Sequence, residues 1–166
     1  MSDALERLWA PHRMQYIRGG NDTEGTGCPF DTIPSLPPGE SLVVARGEQV
    51  YAVLNLHPYN PGHLMVVTYR HVGDLEDLTQ PELAELWEFT RHAVATVKAV
   101  SRPHAFNVGL NLGGVAGGSL SEHLHQHVVP RWSGDSNYMT VLSGTKIMPQ
   151  LLEETRDLLA AAWPHA

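Results

Sequence analysis

The chain has 166 residues, 42% of them apolar and 17% charged, a balance that excludes a disordered polymer and fits one soluble globular domain. No run approaches the ~18 apolar residues of a membrane span, and no basic start precedes an apolar stretch, so neither a membrane nor a secretory route is expected. The net charge is −7 and the only lysines are Lys98 and Lys146, so no basic stripe exists for nucleic acid. Cys28 is the single cysteine; it excludes an intrachain disulfide and fits a reducing, cytoplasmic compartment. A small anion still has a place, because backbone N–H groups and imidazoles hold phosphate whatever the total charge.

Residues 1–40 carry Pro11, Pro29, Pro34, Pro37 and Pro38 and the run GGNDTEGTG, which predicts an irregular arm over the domain. SLVVARGEQVYAVLNL predicts strands over 42–46 and 50–56 with a turn near Gly47. Pro58, Pro61 and Gly62 predict a loop before a buried strand at 63–69. From Thr79 the period becomes helical. Thr79 as cap, Pro81 in the first turn and Glu82 three residues on predict a capping box, and the apolar stripe predicts a helix over 80–100.

HAFNVGLNL predicts a strand at 104–112, followed by the glycine-rich loop GGVAGGS. EHLHQHVVPRW begins as another strand, NYMTVL predicts a short one, and Pro149 opens a helix over 148–162. The order β-β-β-α-β-β plus a tail helix gives an α+β fold with a mostly antiparallel sheet. The expected organisation is one domain over 1–166: an arm at 1–40, a core at 41–132 and an extension at 133–166. Leu42, Val43, Val53, Leu64, Val66, Leu86 and Leu110 are expected in the core, Trp87 in the core or a dimer contact, and Glu76 and Asp77 in a solvated turn.

His123, His125 and His127 lie two apart, which on a strand places them on one face, roughly 6.5–7 Å from one another. Three readings compete. They are satisfied polar residues on a sheet face; or they hold a metal; or the row supplies a nucleophilic imidazole that attacks phosphorus. The third leads, because the glycine-rich loop upstream offers N–H donors for phosphate.

HLHQHVV resembles the His-φ-His-φ-His-φ-φ signature of the histidine triad (HIT) superfamily, where φ is apolar. NLHPYNPGHLMVVTYRHV resembles the nucleotide-binding strand and loop of that family, Cys28-Pro29-Phe30 its N-terminal start, and FNVGLNLGGVAGGS its strand and loop before the triad. The resemblance covers residues 28–132. It implies a five-stranded, mostly antiparallel sheet with one main helix, paired into a homodimer with a tetramer left open.

The chemistry implied is nucleotidyl transfer at an α-phosphate, with His125 as nucleophile. His127 and His63 would bind phosphate or ribose and tune His125, and His123 would support the triad. Asn55 would bind ribose; Asn111, Gly118 and Ser119 would line the phosphate site. Trp132 and Phe30 are candidates to stack on adenine, each weighed against a packing role.

Three departures stand out. Gln126 occupies an apolar position of the signature. Asp31 stands where zinc-binding relatives have a second cysteine, so no metal is expected, although Cys28, Asp31, His71 and His123 are the residues an unusual site would use. Ser119 stands where many hydrolytic relatives carry Gln, which leaves room for inorganic phosphate beside His125. With LWAPHRMQYI and TKIMPQLLEET, this resembles the bacterial members that phosphorolyse diadenosine tetraphosphate to ATP and ADP. The alternative is hydrolysis of dinucleoside polyphosphates or nucleoside phosphoramidates. No cofactor is required by this scheme; Mg²⁺ can accompany the polyphosphate.

Overall fold

The computed structural model describes residues 27–37, 39–116, 120–135 and 148–164. Five strands form one sheet: β1 (Val43–Arg46), β2 (Val50–Leu54), β3 (Leu64–Thr68), β4 (Ala105–Leu110) and β5 (His125–Arg131). Their spatial order is β1-β2-β3-β5-β4 and every neighbouring pair is antiparallel. Among the described residues three α-helices accompany it: α1 (Pro29–Thr32), α2 (Gln80–Ser101) and α3 (Leu152–Ala161).

Helix α2 starts as its sequence dictates. The Thr79 side chain accepts from Glu82 N, the Glu82 carboxylate accepts from Thr79 N at 2.8 Å, and Pro81 sits in the first turn. Arg102 ends it in a left-handed conformation at φ 47°, and Pro103 follows. Its buried stripe includes Leu86, Phe89, Ala93 and Val97, at spacings of three and four. These pack with Val50, Ala52, Leu64, Val66 and Val128 from the sheet and Leu159 and Trp163 from the tail.

The opposite face gathers Phe30, Val43, Tyr51, Val53, Met65 and Val67. With both faces covered, β2 and β3 are buried at every position and read as continuous apolar runs rather than alternating ones. One end of the helix-side core is tied down by a carboxylate. Glu85 accepts from the main-chain N–H groups of Glu48, Gln49 and Val50 at 2.9, 2.5 and 3.0 Å, which closes the β1–β2 turn onto α2.

Four expectations change. The arm is ordered locally from Pro29, as α1 and a 3-10 turn at Ile33–Ser35, because Pro29 and Pro34 each stand in a first turn where a missing N–H costs nothing. Strand β5 starts at His125, so His123 precedes it; Leu124 N is held instead by the Val72 carbonyl at 2.6 Å. Trp87 is 57% exposed and so lies outside the core of this chain. Leu42 and Leu110 are only partly buried. The strand expected within 137–142 lies outside the described residues, as do Gly118 and Ser119.

Candidate active site

The site is built on the sheet face opposite α2. His125 pairs with Val67 and His127 with Met65 across the β3–β5 ladder, and partners directly opposite share a face. Four histidines then meet. His125 and His127 have ring centroids 5.0 Å apart, and His63 and His127 5.1 Å. His63 comes from the residue before β3, and His123 from the residues before β5.

Hydrogen bonds decide which nitrogen of each ring carries the proton. His125 Nδ1 lies 2.8 Å from the His123 carbonyl oxygen, which can only accept. The proton is therefore on Nδ1, and Nε2 keeps its lone pair. Burial pushes the His125 imidazole below its ordinary range, only partly offset by that hydrogen bond, so the neutral form prevails near pH 7. A buried neutral imidazole with a free Nε2 is a nucleophile held ready.

A second chain of bonds fixes His127. Tyr59 N donates to His63 Nδ1 at 3.1 Å, so the His63 proton resides on Nε2. That nitrogen lies 2.9 Å from His127 Nδ1 and donates to it. His127 is thereby left with its proton on Nε2, 3.3 Å from the Asn111 amide nitrogen, a side chain whose nitrogen and oxygen exchange places by a simple flip. Burial, joined by the neighbouring His125, lowers the His127 imidazole to about 4. His127 thus offers a neutral N–H donor next to His125. Tyr59, 48% exposed, covers the pair with its ring, at 4.8 Å from His63 and 6.0 Å from His127.

The supports come from three segments. The Asn60 side-chain amide donates to the Pro130 carbonyl and to Asp135, each at 2.8 Å, which binds the 55–63 loop to the end of β5. Tyr51 Oη donates to the Phe30 carbonyl at 2.9 Å and anchors α1. Phe30 is 4% exposed, with its ring 5.1 Å from His125 and 5.5 Å from His123. It backs the nucleophile as a core residue, which is the packing role weighed for it.

Asn55 sits at the mouth of the loop, its side-chain oxygen accepting from His57 N at 2.8 Å. Trp132 follows β5, seven residues from His125, and at ~3.3 Å per residue roughly 20 Å away. Strand geometry therefore sets it well away from His125 of its own chain. A cleft of about 260 Å³ opens beside His127, lined in part by Tyr59, Asn107, Gly109 and Asn111, along the outer edge of β4.

The His123 ring lies beside those of His71, at 4.8 Å, and Phe30. Its Nε2 donates to the Thr68 carbonyl at 2.8 Å. Its Nδ1 lies 3.4 Å from Cys28 Sγ and 3.3 Å from Asp31 Oδ1, while His71 Nδ1 lies 3.0 Å from Asp31 Oδ2. Burial lowers the His123 imidazole more than Asp31 raises it, and burial also raises the Cys28 thiol. These are the residues that could hold a metal; their donor atoms all lie within 4.8 Å of one another.

The sequence pattern located the triad but missed Tyr59, Asn60, Tyr51 and Thr68. Only Tyr59 left a trace, four residues ahead of His63 in the Pro58–Gly62 turn; the others act through contacts that no spacing announces.

The fold is an antiparallel five-stranded sheet with a histidine cluster on one face. The HIT domain family model matches residues 39–134, and the chain belongs to that family. It is 60% identical over 97% of its length to AP-4-A phosphorylase of Mycobacterium tuberculosis, covering 86% of that protein. It is 36% identical over 59% of its length to the asymmetrical bis(5'-nucleosyl)-tetraphosphatase of Schizosaccharomyces pombe, covering 53% of it. Among solved structures, a zinc-bound histidine triad family protein from Mycobacterium smegmatis superposes with a TM-score of 0.66 at 27% identity, covering 82% of this chain and 92% of that one.

Proposed function

We propose that this protein is a nucleotidyltransferase that phosphorolyses diadenosine tetraphosphate to ATP and ADP. The observation that carries the chemistry is the His125 Nδ1–H donated to a main-chain carbonyl, which aims the Nε2 lone pair outward. The similarity to AP-4-A phosphorylase supports the choice of substrate and of phosphate as acceptor.

In the first step His125 Nε2 attacks the α-phosphorus, the bond from that phosphorus to the bridging oxygen breaks, and ATP leaves. In the second, an oxygen of inorganic phosphate attacks the adenylyl phosphorus, the P–N bond breaks, and ADP leaves. His127 Nε2–H and the Asn111 amide stabilise the charge on the phosphoryl oxygens, and the family resemblance assigns Gly118 and Ser119 the same task. His63 acts through His127 by holding its tautomer, and His123 supports His125 through its carbonyl. Asn55 takes the ribose. Neither step needs a metal at the phosphate, and Mg²⁺ enters only with the polyphosphate.

The working unit is a homodimer in the cytoplasm. Among the described residues strand β4 has a neighbour on one side only, and it carries exposed Val108, the kind of edge that pairs with a second copy. Trp132, remote from its own His125, is then available to an adenine bound across that edge. No described helix is long and apolar enough to cross a membrane.

The test is a product assay. Diadenosine tetraphosphate is incubated with the full chain, with and without inorganic phosphate, and the nucleotides are separated. ATP plus ADP, formed only with phosphate, is the expected result. ATP plus AMP formed regardless of phosphate would make the protein a hydrolase, the second reading favoured by the tetraphosphatase relative.

A further inference from the structure

We propose that Asp135 is a positioning residue for nucleotidyl transfer, whose carboxylate couples the loop holding Tyr59 and His63 to the turn that presents Trp132 to adenine. The inference deepens the reading above and rests on it for the part given to Trp132.

One carboxylate gathers three residues. Asp135 Oδ2 accepts from Arg131 Nε at 2.6 Å, from Asn60 Nδ2 at 2.8 Å and from Trp132 N at 3.3 Å, and its Oδ1 accepts from Arg131 Nη2 at 3.2 Å. The Asp135 side chain is only 11% exposed, and the Arg131 guanidinium holds its carboxyl well below the usual carboxylate range. It is therefore an anion throughout the physiological range, and bonds to an ionised acceptor are the strong ones. An ion pair serving stability alone needs Arg131 only and contributes little at a surface. The bonds to Asn60 and Trp132 go beyond that need.

The first connection is to the turn after β5. Trp132 N donates to the Asp135 side chain, and Asp135 N donates to the Trp132 carbonyl at 3.1 Å, so one residue binds the main chain of Trp132 on both sides. Gly134 supplies the φ of 76° that the turn requires. Ser133 N donates to His104 Nδ1 at 2.9 Å and steadies the turn from outside. Strand β5 ends at Arg131, so these bonds, not the ladder, set where Trp132 stands.

The second connection is to the relay. Asn60 is 3% exposed, and its carbonyl accepts from His63 N at 3.1 Å. That turn brings Tyr59 N to His63 Nδ1, the bond that starts the tautomer relay to His127. Fixing the Asn60 side chain therefore fixes the donor that sets His63. A third bond, Arg131 Nη1 to Asn107 Oδ1 at 2.8 Å, extends the network to β4, where Asn107 lines the cleft beside His127.

The test is a pair of double-mutant cycles on the full chain. The rate is release of ATP from diadenosine tetraphosphate with inorganic phosphate present, and nitrogen NMR of the histidine rings is the second readout. Phosphorolysis and hydrolysis both release ATP, so failure of the phosphorolysis reading and failure here are distinguishable. Asp135→Asn should raise KM and lower kcat, each about tenfold, and the His127 proton should no longer be confined to Nε2. The KM effect should shrink below about threefold in a Trp132→Ala background, and the kcat effect likewise in His63→Gln, because Asp135 acts through those two residues. Asn60→Ser removes the loop bond but leaves Arg131 and Trp132 their carboxylate. It should lower kcat about tenfold with KM within about twofold, and it carries the test if Asp135→Asn does not fold. Effects that multiply independently in both cycles, with the His127 tautomer unchanged, would overturn the proposal and leave Asp135 a structural ion pair. An Asn60→Ser protein that raises KM and spares kcat would overturn it too. The NMR readout needs no turnover, so in a chain that releases no ATP an unchanged His127 tautomer in both variants still refutes the coupling.

Discussion

Replacing Glu82 by Gln tests how the molecule holds the segment that carries His71. Glu82 is 3% exposed, and its carboxylate receives Arg70 Nε and Nη2 at 2.8 and 2.7 Å besides capping α2. The Arg70 guanidinium, ahead of desolvation and the Thr79 bonds, holds the Glu82 carboxyl down at about 2, against an ordinary value of 4.5. A depressed carboxyl stabilises the fold above its unfolded value and loses that contribution as pH falls toward the folded one. Between pH 7 and pH 3, linkage over that interval gives a ceiling of about 2 kcal/mol. Arg70 is 46% exposed, so solvent screening brings the expectation to about 1 kcal/mol. The assay is urea unfolding of wild type and Glu82→Gln at both pH values. The wild type should lose about 1 kcal/mol more than the variant on acidification. Stabilities that run parallel to within ~0.3 kcal/mol would refute the reasoning, because the clamp would then carry no pH-dependent energy.

Two further outcomes follow from buried polar groups. Gln126 is 1% exposed, lies between Val66 and Leu110 in the ladder, and its amide has no hydrogen-bond partner among the described residues. Gln126→Leu should therefore stabilise the protein by about 1–2 kcal/mol, read as a rise of roughly 2–8 °C in melting temperature; no rise would mean that the amide is satisfied by buried water. His63→Gln should break the tautomer relay and lower kcat about ten- to a hundredfold, with KM less affected, and nitrogen NMR should show the His127 proton no longer confined to Nε2. A variant that keeps that tautomer would remove His63 from its positioning role.

Local chemistry made much of this molecule legible in advance. The capping box at Thr79–Glu82 and the apolar stripe behind it set α2 to within a residue at its C-terminal end, because both signals are internal to the helix. The period-two histidines marked the strand that carries the cluster, and Phe30, His63 and Asn111 were all found beside them. What stayed hidden was direction. Alternation says that His123, His125 and His127 share a face, but not that His123 leaves the ladder and turns its ring toward Thr68. That turn depends on the Leu124 N–H reaching the Val72 carbonyl, a contact across 52 residues that no local rule foresees.

The same limit explains Asp31. Judged by type, one cysteine and one carboxylate argue against a metal, since structural zinc sites favour sulfur and nitrogen. Judged by position, the tertiary structure gathers the four side chains all the same: Tyr51 pins α1 by the Phe30 carbonyl, and the short helix then brings Cys28 and Asp31 to one side of His123. The Arg70–Glu82 clamp holds the neighbouring segment from which His71 approaches the other side. The clamp and the cluster are consequently coupled: Glu82→Gln, which frees the segment bearing His71, should loosen the His71–Asp31 contact, and nitrogen NMR of the His71 ring should report the change; an unchanged His71 signal would show that the two are independent.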